Sequence, residues 1–172
     1  MTRMTLCVFA AAAALSVSAA PASAMSSQQA ARELKELRSS KRGLTMTLDH
    51  LSVLARNQHL TSWQNHAGVL DEARIYINRS GERLARLEAN LDKLTPAQRA
   101  AVDGYRLELA RIATEVQALM NSLQENRLVT VRPDYFERTQ ALAARAIEAR
   151  RNTDQLVETA LNGSSVRQQT GD

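Results

Sequence analysis

Three histidines, His50, His59 and His66, fall close together in the chain, with Asp49 and Asp71 as acidic neighbours. Clustered imidazoles beside carboxylates are the raw material of a metal site, so these three are the candidate metal ligands. The spacing does not match the familiar helical versions. Thr47, Arg56 and Trp63 precede the histidines by three positions, so no Glu-x-x-His pair places two di-iron ligands on one helix face, and no His-Glu-x-x-His run occurs. A non-covalently held haem needs a core histidine facing a methionine or a second histidine. Counting back along a helical hairpin puts Met120 within about a turn of His66, which makes His66 and Met120 the candidate axial pair. The competing expectation, and the one favoured here, is structural: His66 ends an apolar seam and bonds a neighbouring side chain. On that view the chain carries no cofactor, and Trp63 beside it is a large anchor sealing the end of the fold.

Other chemistries have less to draw on. The sole cysteine, Cys7, lies near the N-terminus, in a segment expected to be removed, which leaves no thiolate ligand, disulfide or cysteine nucleophile. There is no Gly-x-Ser-x-Gly turn and no phosphate-cradling Gly-rich loop. We therefore expect no enzyme and assign no catalytic residue.

The N-terminal segment explains that removal. Arg3 precedes the apolar run LCVFAAAAALSVSAA, and Ala22-Ser23-Ala24 provides the small-x-small pattern that signal peptidase cuts, so residues 1–24 read as a signal peptide and the mature chain as periplasmic or secreted. The apolar run is too short to span a bilayer, and no membrane span is expected in the mature chain. Taking 24 residues from 172 leaves 148, the size of one domain, and removing Arg3 lowers the formal charge from +4 to +3. Acidic and basic residues interleave, so no basic stripe suited to nucleic acid forms.

The elements that position these residues are helices. Aromatic residues are 3% of the chain, and Ala, Leu, Arg, Glu and Gln dominate after Met25. Trp63, Leu70, Ile77, Leu84 and Leu91 recur every seven residues, with His66, Ala73, Ser80, Leu87 and Leu94 as a companion row. Val102, Leu109, Val116 and Leu123 with Tyr105, Ile112 and Leu119 form a second two-row seam. Ala30, Leu37, Leu44 and Leu51 with Leu34 and Leu48 form another, weakly interrupted at Ser39-Ser40 and Gly43, where a kink or split is possible by composition. Thr61/Gln64 and Thr95/Gln98 look like capping boxes, the second with Pro96 at the first helical position. Phe136, Leu142, Ala143, Ala146, Ile147, Val157 and Leu161 mark a last helix that Asn162-Gly163 should stop.

The spans 27–57, 62–94, 96–126 and 133–162 are nearly equal, roughly 45 Å each. Equal helices on short connections predict an all-α, antiparallel up-down-up-down four-helix bundle over 25–162, with a loose tail at 163–172. Seams this long also suit pairing between chains, so a homo-oligomer is open. On the connection RLVTVRP, Leu128, Val129 and Val131 are the candidate contacts for a protein partner.

The segments SWQNHAGVLDEARIYINRSGERLARLEANLDKLTPAQ, MNSLQENRL and PDYFER together resemble an uncharacterised family of exported bacterial all-helical proteins. The resemblance rests on Ser62, Trp63, His66, Leu70, Ile77, Asn78, Gly81, Leu84, Leu87, Leu94, Pro96, Gln98, Asn126 and Tyr135. It implies export and a helical fold, and transfers no site. LTSWQ at 60–64 and LTPAQ at 94–98 are similar to the LTxxQ motifs of Spy and CpxP-type periplasmic chaperones, which bind unfolded clients; here the copies are one helix apart and would fall at opposite ends of a bundle. Three functions follow as expectations: a non-enzymatic structural or interaction module of the cell envelope with an unknown protein partner, a client-binding chaperone, or a haem- or metal-binding bundle.

Overall fold

The structure, a computed structural model, describes residues 25–169, so the signal-peptide assignment and Cys7 lie outside the described residues. Four helices dominate: α1 (Ser27–Arg56), α2 (Trp63–Glu88), α3 (Pro96–Glu125) and α4 (Pro133–Gln169). Short 3-10 turns at Leu91–Lys93 and Arg127–Val131 join α2 to α3 and α3 to α4. Each helix packs on its two neighbours around the ring, α1 on α2 and α4, and α3 on α2 and α4, which is the antiparallel four-helix bundle. No described helix is long and apolar enough to cross a membrane.

The heptad rows supply the core. Leu34, Leu37, Leu44, Leu48 and Leu51 of α1 are fully buried, as are Leu70 and Leu87 of α2, Ile112 and Leu119 of α3 and Leu142 of α4. Removing each such side chain from water stabilises the fold by about 1.5–3 kcal/mol. Two starts are capped as expected of their residues. Ser26 accepts from the Gln29 amide at 3.2 Å while Gln29 accepts from the Ser26 amide at 2.7 Å, and Thr95 and Gln98 repeat the box at 3.2 and 3.0 Å.

Three features differ from the sequence expectation, and the continuity of α1, which the composition leaves open, is resolved. Helix α2 stops at Glu88, short of residue 94. The Asn90 side-chain Nδ2 donates to the Arg86 carbonyl at 3.0 Å, and the 3-10 turn that follows leaves Leu91, the fifth member of its row, exposed while Leu94 closes the core. Helix α1 runs unbroken through Gly43. That glycine lets α2 come close, because a Cβ there would lie 2.5 Å from Tyr76 Cε1. Thr61 forms no capping box; Ser62 is the cap residue of α2, and its hydroxyl meets the Asn65 side chain instead of a backbone amide. Helix α4 passes Asn162-Gly163 and ends at Gln169, because one helical glycine costs only about 1 kcal/mol against alanine.

A polar layer crosses the middle of the bundle. The Lys41 ammonium, buried between α1 and α4, donates to the Thr153 hydroxyl and sits 4.7 Å from the centre of the Tyr105 ring. Tyr105 donates to the Leu37 carbonyl at 3.2 Å and lies 3.2 Å from Ser80 Oγ. Burial pulls the Lys41 pKa down from 10.5 to about 8, against the raising influence of Glu108 and Asp154, and pushes Tyr105 up to about 12.

Candidate functional site

The start of α2, the start of α4 and both connections at that end of the bundle build one site. His66 is fully buried on the first turns of α2. Its Nδ1 lies 3.1 Å from Tyr135 Oη on α4, its Nε2 lies 3.1 Å from Thr61 Oγ1, and the two rings meet edge to face with centroids 5.4 Å apart. One proton arrangement satisfies every group. Tyr135 donates to Nδ1, Nε2 donates to Thr61, and the Thr61 hydroxyl donates to the Leu54 carbonyl at 3.3 Å near the end of α1. The reverse arrangement would leave the buried Tyr135 hydroxyl without an acceptor. The imidazole is thus held neutral: burial lowers the His66 pKa from 6.5 and raises that of Tyr135.

With both nitrogens engaged, His66 has no lone pair free for iron or zinc. Met120 lines a neighbouring cavity with Trp63 and Ala67, a lining that does not include His66. His50 on α1 and His59 in the α1–α2 turn are exposed, apart from the buried His66. Among the described residues no three His, Cys, Asp or Glu side chains gather as a metal site requires. The histidine cluster of the sequence therefore divides into two exposed residues and one buried residue hydrogen-bonded at both nitrogens.

Beside this network lies a cavity of about 260 Å³ lined by Trp63, Ala67, Met120, Leu123, Gln124 and Arg127. The Arg127 guanidinium lies over the Trp63 ring at 4.4 Å, so the indole lines this cavity as well as packing against the core. The candidate contacts on the α3–α4 connection divide. Val129 is only 6% exposed and covers the bundle's own end, whereas Leu128 and Val131 are 70% and 51% exposed. Asn126 imposes that division: its side chain accepts from the Leu128 amide at 2.9 Å and opens the 3-10 turn, which faces Val129 inward and its neighbours outward.

Two site residues carry no motif of their own in the sequence. Leu60, in the α1–α2 turn, is 77% exposed at the same end as Leu128. Tyr135 entered only through the family resemblance; its position at the start of α4 places it level with the start of α2 in an antiparallel bundle, and that was the available signal. No protein-family model, curated protein or solved structure matches this chain.

Proposed function

We propose that this chain is an exported, non-enzymatic interaction module of the cell envelope, and that it holds a partner protein at the loop end of the bundle. The observation that carries the proposal is the placement of Leu60, Leu128 and Val131, all exposed, at the end that contains the Trp63 cavity. Clusters of exposed apolar side chains with an adjoining cavity favour protein contact over solvation. Arg127, which has no ion-pair partner among the described residues, adds a charge preference. The occupant it suits is an apolar segment flanked by a carboxylate. Export rests on the residues before Met25 and the small-x-small pattern at Ala22–Ala24.

Photo-crosslinking in cells tests this. A benzophenone side chain introduced at Leu60, Leu128 or Val131 should give one shared adduct that is lost when Arg127→Glu is added. The same probe at Leu107, an exposed leucine on α3, should give none. Equal adducts from Leu107, or no adduct from any of the three, would overturn the assignment.

The chaperone alternative gains little support. Its two LTxxQ copies serve different ends: Thr95 and Gln98 cap α3, while Thr61 serves the His66 network at the other end of the bundle. No shared surface brings them together.

A further inference from the structure

Along α1 the charges separate by direction. Glu33 and Glu36 face α2, where Arg83 and Arg86 bond them at 3.2–3.3 Å. The opposite flank of α1 presents Lys35, Arg38, Ser39 and Arg42 to α4, at spacings that share one helix face. Across the groove α4 contributes Arg150 and Asp154, one turn apart. These side chains line a cavity of about 290 Å³ that holds four cations and one carboxylate.

That single carboxylate is already used, because Asp154 accepts from Arg38 Nε at 2.9 Å. Lys35, Arg42 and Arg150 have no acidic partner among the described residues, and Arg150 Nε is buried without any hydrogen-bond acceptor. A buried guanidinium N–H left unmet is costly, and three unpaired cations in one groove repel each other. The repulsion is relieved if an anion occupies the groove that these cations line. Guanidinium forks match oxygens arranged as in phosphate or carboxylate. The excess of three positive charges favours a dianion over a monoanion, and the Ser39 hydroxyl offers a further donor. The volume is near the lower end for small-molecule pockets, about 300 Å³.

We infer that the α1–α4 groove is a binding site for a phosphomonoester, carried by a small soluble molecule or by a lipid headgroup. Arg42, Arg150 and Lys35 take the phosphate oxygens, while Arg38 shields Asp154 from them. The site is separate from the loop end and independent of what binds there.

Titration calorimetry of the purified protein tests the inference with two probes, inorganic phosphate and phosphatidylcholine vesicles containing phosphatidic acid, against vesicles of phosphatidylcholine alone. Saturable binding to phosphate assigns a soluble ester; binding only to the phosphatidic acid vesicles assigns a headgroup. In either arm Arg42→Gln with Arg150→Gln should weaken binding by about tenfold or more. Arg111→Gln, on an exposed residue of α3 paired with Glu108, should leave it unchanged. Arg42→Gln alone, at an exposed position that leaves the core intact, should weaken it in the same direction and guards against misfolding of the double variant. No binding in either arm, or an equal loss from Arg111→Gln, overturns the site.

Discussion

His66 Nδ1 and Tyr135 Oη, 3.1 Å apart, tie the start of α2 to the start of α4 through a bond that only a neutral imidazole can accept. Tyr135→Phe removes the donor and leaves a buried nitrogen unmet, which should lower unfolding free energy by about 1–3 kcal/mol. The network also sets an acid response. Because the folded pKa of His66 is held below its ordinary 6.5, the unfolded chain takes the proton first, and stability falls as pH drops below about 6.5. Urea unfolding across that range should show a steeper loss for the native chain than for His66→Leu; parallel curves would contradict the network.

Lys41 gives a test of the same sign on the alkaline side. Between about pH 8 and 10.5 the unfolded chain keeps the lysine proton and the folded chain has released it, so this group makes stability rise with pH through that window. A fall in pKa of that size corresponds to about 3 kcal/mol in full. Lys41→Met should therefore stabilise the protein by about 1–3 kcal/mol at neutral pH and flatten the rise. Thr153 does not become an orphan, since its hydroxyl already donates to the Ala149 carbonyl at 2.9 Å. Tyr105 acts in the other direction above pH 10, where the unfolded tyrosine ionises ahead of the folded one at about 12, so the difference between the two profiles is the quantity to compare. A destabilised Lys41→Met would show that the layer contributes more than its burial costs.

Glycine-to-alanine substitutions should change sign with position. Nothing lies within 4 Å of a Cβ built on Gly68 or Gly81 of α2, so alanine at either should stabilise by about 1 kcal/mol through helix propensity. At Gly43 the added methyl meets the Tyr76 ring, and the ring must leave its packing against the core. Gly43→Ala should therefore destabilise by about 1 kcal/mol or more, and should become stabilising in a Tyr76→Ala background. Thermal melts of the three glycine variants, of Tyr76→Ala and of the double variant decide it.

The heptad rows placed most of the core correctly because period and burial have one cause: one face of each helix meets its neighbours. Leu37, Leu44, Leu51, Val102, Leu109, Val116 and Leu123 are all buried as their spacing implies. Residues whose roles depend on which helices pair were harder to find. Lys41, four positions after Leu37 and three before Leu44, stands on the apolar face, a visible anomaly that the charge balance obscured. Arg150 and Asp154 face Arg42 and Arg38 only once α1 and α4 are antiparallel neighbours, and no local pattern within either helix reports that pairing. The local sequence allows Thr61 to cap α2, but the buried imidazole nearby competes for the same hydroxyl and takes it.

The connection between α3 and α4 separates stability from binding at adjacent residues. Val129 packs into the core under the loop, so Val129→Ala should cost about 1–2 kcal/mol through lost burial and the cavity left behind. Leu128 and Val131 are exposed on either side of it, and Leu128→Ala with Val131→Ala should change unfolding free energy by less than about 0.5 kcal/mol each. If the loop end binds a partner, the exposed pair should abolish the shared crosslink in cells while leaving the melting curve in place. Val129→Ala should do the reverse, shifting the melt and retaining the crosslink at temperatures where the protein is folded. A melt lowered by the exposed pair would mean that Leu128 and Val131 serve the bundle itself, and the surface would lose its claim to a partner.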